Sequence, residues 1–144
     1  MSDYATIAEL KERLTGFYDE FYKDPVSGLV DDAKAQKHLN AAEAEVNASV
    51  AVRYNVPVVA SQPLELLKNW TLTLAEELAH GRDGSDELPE KLKDRVTNVR
   101  KLLQRLADGS VAFMGAAEKS SSAGGDSDFI SSRPLCRREQ MGGW

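Results

Sequence analysis

Between Leu88 and Ala107 the apolar residues Leu92, Val96, Val99, Leu103 and Leu106 recur at steps of three and four. A backbone turning once per 3.6 residues is what gathers those side chains on one face, so the segment reads as an amphipathic helix that needs a partner to bury against. The same signal recurs upstream. Thr6 and Glu9 form a capping box for a helix carrying Ile7, Leu10 and Leu14, with Gly16 expected as its stop. A longer helix is expected from Asp31 or Asp32 to about Arg53, with Ala35, Leu39, Ala42, Val46 and Val50 as a narrow stripe. Several of those positions are alanine, which lets a neighbouring helix approach closely. Asn55-Val56-Pro57 ends that helix, and Pro63 suits the first turn of the next. There Leu67, Thr71, Leu74 and Leu78 share one side while Leu66, Trp70 and Leu72 widen the apolar surface, so this helix is expected to be buried on more than one flank. Lys101 and Arg105 suit the negative end of the last helix, and Asp108-Gly109 stops it. The aromatic stretch Phe17–Tyr22 leads into a turn at Pro25 and Gly28, and Ser110–Phe113 reads as a short extended segment. The fold class is therefore all-α, a small four-helix bundle with an extended C-terminal arm.

The end of the chain differs in kind. Gly115 to Asp128 is a run of small and polar residues, and after it come Phe129, Ile130, Leu135, Met141 and Trp144, interleaved with Arg133, Arg137 and Arg138. Exposed apolar groups are a solubility liability, so a terminus that ends on them is expected to cover them against something. The chain divides into a helical domain at 1–114, a flexible spacer at 115–128 and a docking arm at 129–144. The eight residues just named are the expected partner-binding set.

Charge narrows the function. The net charge is −5, and residues 1–114 hold 14 Lys and Arg against 19 Asp and Glu. Nucleic-acid affinity depends on neutralising phosphates with Lys and Arg, so an acidic body argues against it. Cys136 is the sole cysteine, which excludes an intrachain disulfide. No apolar run approaches the roughly 18–20 residues that span a bilayer, and the N-terminus lacks the features of a secretory signal. A soluble protein, cytoplasmic when made and without membrane contact, is expected.

Catalytic chemistry finds no foothold. His38 and His80 stand in different elements without ligands at zinc spacing; His38 reads as a helix-surface residue and His80 as part of a loop or C-cap. Asp24, Ser27, Gly28 and Asp31 echo a calcium loop faintly, but Pro25, Val26, Leu29 and Val30 interrupt it, and a plain turn is expected. No glycine-rich loop leads from a strand into a helix. Cys136 sits beside two arginines, yet in a tail that cannot preorganise a base. Glu76-Glu77 reads as solvated helix surface. The expectation is no catalytic residue, no cofactor and no metal. Arg53-Tyr54 admits two readings: a helix-end arginine with its tyrosine at the core edge, or a subunit contact, since both residue types are enriched at interfaces.

Taken in order, Tyr4-Ala-Thr-Ile-Ala-Glu-Leu-Lys-Glu-Arg-Leu14, Ala42–Val46 through Arg53-Tyr54-Asn55-Val56-Pro57, Pro63-Leu64 and Arg133–Trp144 resemble a family of Mu-like phage head proteins described as head–tail adaptors or connectors. The resemblance implies a ring, a dodecamer by family expectation, beneath the portal protein at the head–tail neck of the virion. It further implies contact with tail or neck proteins, and DNA passing through the lumen without specific binding. An acidic channel wall fits that passage, because like charge suppresses phosphate contacts. The competing reading is a small intracellular helical interaction module or DNA-binding regulator, for which the cations of the last helix would serve as the recognition surface.

Overall fold

Helices form where the stripes run. The computed structural model describes residues 2–81 and 88–119. Its helices are α1 (Ile7–Leu14), α2 (Tyr18–Tyr22), α3 (Asp32–Val50), α4 (Ser61–Gly81) and α5 (Glu90–Asp108), with one 3₁₀ turn at Thr15–Phe17. Among the described residues there is no strand, and two isolated bridges, Lys23 with Val30 and Tyr54 with Glu118, are the β-type pairings. The expected all-α bundle of four principal helices is thus present, and α2 adds a single extra turn.

α4 is the axle of the bundle, touching α1, α2, α3 and α5. Every residue from Trp70 to Glu76 is buried. Seven consecutive buried positions cover nearly two helical turns and therefore require neighbours all round. The α3 stripe Ala35, Leu39, Ala42, Val46 and Val50 is fully enclosed, and so is the α5 stripe from Leu92 to Leu106. Each enclosed Leu or Val contributes on the order of 1.5–3 kcal/mol over an exposed one.

The ends are capped as the local sequence dictates. The Thr6 hydroxyl accepts from the Glu9 N–H while the Glu9 carboxylate accepts from the Thr6 N–H. Asp31 accepts from the N–H groups of Ala33 and Lys34 at the start of α3. Gly109, at φ +85°, closes α5 in the left-handed conformation that a Cβ disfavours.

Four boundaries differ from expectation. α1 breaks at Thr15, which takes φ 39°, and not at Gly16. The chain resumes helix through Phe17–Tyr22 because Tyr18, Phe21 and Tyr22 recur at helical spacing and all three are buried. α3 ends at Val50, with residues 51–53 as a turn. Ser110–Phe113 is bend and coil without ladder pairing.

Candidate functional site

Arg53 and Tyr54 stand where the chain's last described residues return to the bundle. Tyr54 is 1% exposed. Its hydroxyl accepts from the Phe113 N–H at 2.9 Å and donates to Glu118 at 3.4 Å, and its ring lies 5.0 Å from that of Phe113. Arg53 reaches across to a different helix. Its guanidinium donates to the carbonyls of Leu106 at 3.4 Å and Val111 at 3.0 Å, so it caps the C-terminus of α5 and not that of its own helix. The Arg53 guanidinium lies against Gly109, where an added Cβ would only just touch it, at 3.4 Å. Arg53 also pairs with Glu118, while Lys119 donates from its N–H to the Arg53 carbonyl at 2.7 Å and from Nζ to the Ala51 carbonyl at 2.6 Å. The two residues expected at a subunit contact are thus engaged within the chain, where they hold residues 111–119 against the end of α3.

That returning segment leaves two clefts. One, of about 310 Å³, runs between Tyr54, Pro57–Ala60 and Gly115–Ala117. The other, of about 270 Å³, has Trp70, Leu102 and Phe113 in its wall and is lipped by Leu66, Val111 and Met114. Met114 is 81% exposed and Leu66 41%. Large apolar side chains exposed as a contiguous set mark contact surfaces more often than scattered ones do.

At the opposite end, beside a cleft of about 260 Å³ that Phe17, His80 and Pro89 help to line, charge ties the helices together. Glu76, expected on the solvated surface, is 4% exposed. Arg13 of α1 meets its carboxylate at 2.7 Å and Arg95 of α5 at 3.0 Å, so one α4 residue ties three helices. Arg13 also donates to Asn69 and Thr73. Glu77 is a helix-surface residue paired with Arg100 at 2.7 Å, and Arg100 also meets Glu45 of α3 at 2.8 Å. The hydrogen bonds that the Arg100 guanidinium donates to both carboxylates raise its pKa. Arg95 and Arg100 of α5 are thus both ion-paired, while about half of each side chain stays exposed.

The remaining candidates resolve into packing. His38 is half-buried at the surface of α3, its Nδ1 2.9 Å from the Tyr22 hydroxyl. His80 lies in the last turn of α4, with its ring edge-on to Phe21 at 4.6 Å. Asp24 uses both carboxylate oxygens within its own loop, accepting from the Val26 N–H and the Ser27 hydroxyl, and these bonds lower its pKa. Gly28 completes the turn at φ +70°. Tyr18, raised in pKa by burial and by its 2.8 Å bond to Asp32, links α2 to α3. Asp32 is held below its ordinary pKa chiefly by that same bond, and Lys11 adds to the effect. Among the described residues no group of three or more His, Cys, Asp or Glu is placed to hold a metal ion, and no helix is long and apolar enough to cross a membrane. Cys136 and the expected partner-binding residues Phe129, Ile130, Arg133, Leu135, Arg137, Arg138, Met141 and Trp144 lie outside the described residues.

Sequence reasoning missed Glu76 and the cross-helix cap by Arg53, because both depend on residues far away in the chain. Residues 4–130 match the family described as Bacteriophage Mu, Gp36. No curated protein matches the chain.

Proposed function

Because the chain belongs to the Bacteriophage Mu Gp36 family, we propose that it is a structural head–tail adaptor: copies of it form a ring beneath the portal, line the DNA passage and join the capsid to the tail. The observation that carries this reading is the pairing of an acidic helical body with a terminal segment rich in apolar and arginine anchors. The helices make the wall of the ring. Their acidic surface lets DNA pass without sticking, since phosphates and carboxylates repel. Residues 129–144 bind the portal or a neighbouring subunit. No catalysis is invoked: the buried carboxylate Glu76 is neutralised by two arginines and serves to hold helices together.

The test is to add the purified full-length protein to tailless heads that carry the portal, sediment them, and image the neck. The proposal expects the protein to co-sediment with portal-bearing heads, appear as a ring at the portal vertex, and stay in the supernatant with heads that lack a portal. Equal recovery with both kinds of head, or no density at the vertex, would refute it.

A further inference from the structure

We infer that the apolar cleft between α4 and α5 receives the terminal anchors, within Phe129–Trp144, of a second copy of this chain, so that each subunit holds its neighbour's arm. This rests on the reading that residues 129–144 are a docking arm, and it names the surface on which they dock.

The cleft is built as a receiving surface. Leu67 and Leu103 are buried in the core, whereas Leu66 and Leu102, one position earlier on each helix, line the cleft. Its other walls are Trp70, Val111, Phe113 and Met114, so aromatic and aliphatic faces meet around a space of about 270 Å³. A groove of that character suits a large apolar anchor such as an aromatic ring, the kind of residue that dominates interface energetics. The arm supplies Phe129, Ile130, Leu135, Met141 and Trp144. The arm also brings Arg133, Arg137 and Arg138 to a body with an excess of Asp and Glu; beside the lip residue Leu66, Glu65 is exposed and 3.9 Å from Lys68.

Chain length and exit point allow a second copy. After passing the cleft at Met114 the chain turns at Gly115, φ +81°, and is pinned to the end of α3 through Lys119 and Arg53. The last described residue therefore stands at α3, past the cleft edge. From Lys119, the ten residues to Phe129 span at most roughly 33 Å, and the twenty-five to Trp144 roughly 83 Å, at about 3.3 Å per residue. A body of this size has a radius of gyration of about 13 Å, so the anchors can pass one body width and enter the next subunit. An arm-to-cleft contact joins two different surfaces. Repeated from copy to copy, such a head-to-tail contact builds a ring where its rotation closes and a filament where it does not, whereas a self-complementary contact stops at a dimer.

The sole cysteine makes the test direct. In full-length protein Met114→Cys, an exposed substitution on the cleft lip, mild oxidation is followed by gel electrophoresis without reductant. Cys136 alone can join two chains at most. The inference expects the variant to form a ladder of trimers and larger species while the parent protein yields only monomer and dimer. A disulfide closed within one chain, or a variant that stops at dimer, would overturn it. In parallel, Leu66→Glu should weaken self-association at least tenfold with its helical signal intact; unchanged self-association would count against the cleft. Parent protein that binds portal-bearing heads while the variant forms no ladder would sink this inference and leave the adaptor reading standing. A ladder without head binding would do the reverse.

Discussion

The two ends of the bundle solve the problem of closure differently. Where α1, α4 and α5 converge, Arg13 and Arg95 clamp Glu76, and the carboxylate is sealed at 4% exposure. Where α3 ends, residues 111–119 are held by the Tyr54 hydroxyl and the Arg53 guanidinium, and an apolar cleft stays open with Leu66 and Met114 at its lip. At the first end the charges are paired across three helices, and the cleft of about 260 Å³ beside them is walled in large part by Arg13, Glu76, Lys91 and Arg95. The second has satisfied its polar groups but not its apolar surface. That contrast separates residues that serve the fold from surface available for a partner.

The sharpest way to break the comparison is at the sealed end. Glu76→Gln should lower the unfolding free energy by about 2 kcal/mol, because two charged hydrogen-bonding partners lose the carboxylate while staying partly solvated. Urea unfolding followed by circular dichroism reads this, and a loss below about 0.5 kcal/mol would mean the clamp is incidental to stability. At the open end Tyr54→Phe removes the acceptor of the Phe113 N–H and should cost about 1–2 kcal/mol. Hydrogen exchange should then quicken in residues 111–119 first and leave α4 protected; uniform acceleration would show that the two ends are not separable. Gly109→Ala forces a Cβ into the left-handed cap beside Arg53 and should cost about 1 kcal/mol, visible as a lower thermal midpoint.

Titration probes the smallest effect. Asp32 is held below its usual pKa of 3.8 in the fold, so its contribution is present above that pH and is lost as pH falls through the depressed value. Tyr18 is raised above 10.0, so its contribution is present below that pH and is lost as pH climbs through the raised value. Thermal midpoints measured from pH 2 to 5 and from pH 9 to 12 should differ between the parent and Tyr18→Phe at both extremes. The Asp32 share should stay below about 0.5 kcal/mol because that carboxylate is solvent-exposed. Parallel curves for the two proteins would rule out the Tyr18–Asp32 link.

Much of the fold could be read locally. The stripes of α3 and α5 predict both the helices and the faces they bury, and the capping box at Thr6 marks the start of α1. Trp70 and Leu72 announce a helix with more than one buried flank, whereas Leu66 and Leu78, expected on that apolar surface, are 41% and 38% exposed. What escaped was nonlocal. Two adjacent glutamates on a helix read as solvent-facing by default, and nothing near Glu76 reveals that Arg13 will arrive from α1. Arg53 stood at a helix end, as its charge suggests, but the carbonyls it satisfies belong to α5. Helix in Phe17–Tyr22 was legible in principle from the spacing of Tyr18, Phe21 and Tyr22 and was obscured by Gly16. The open cleft had no sequence signature, because its walls come from three separate segments.

The account stands or falls on whether the terminal segment couples this body to other chains. The direct measurement removes residues 129–144 and compares the truncated and full-length proteins for helical content, thermal midpoint and attachment to portal-bearing heads. Helix and midpoint should be unchanged and attachment abolished. A truncated protein that folds and still attaches normally would contradict the assignment of those residues as the docking arm.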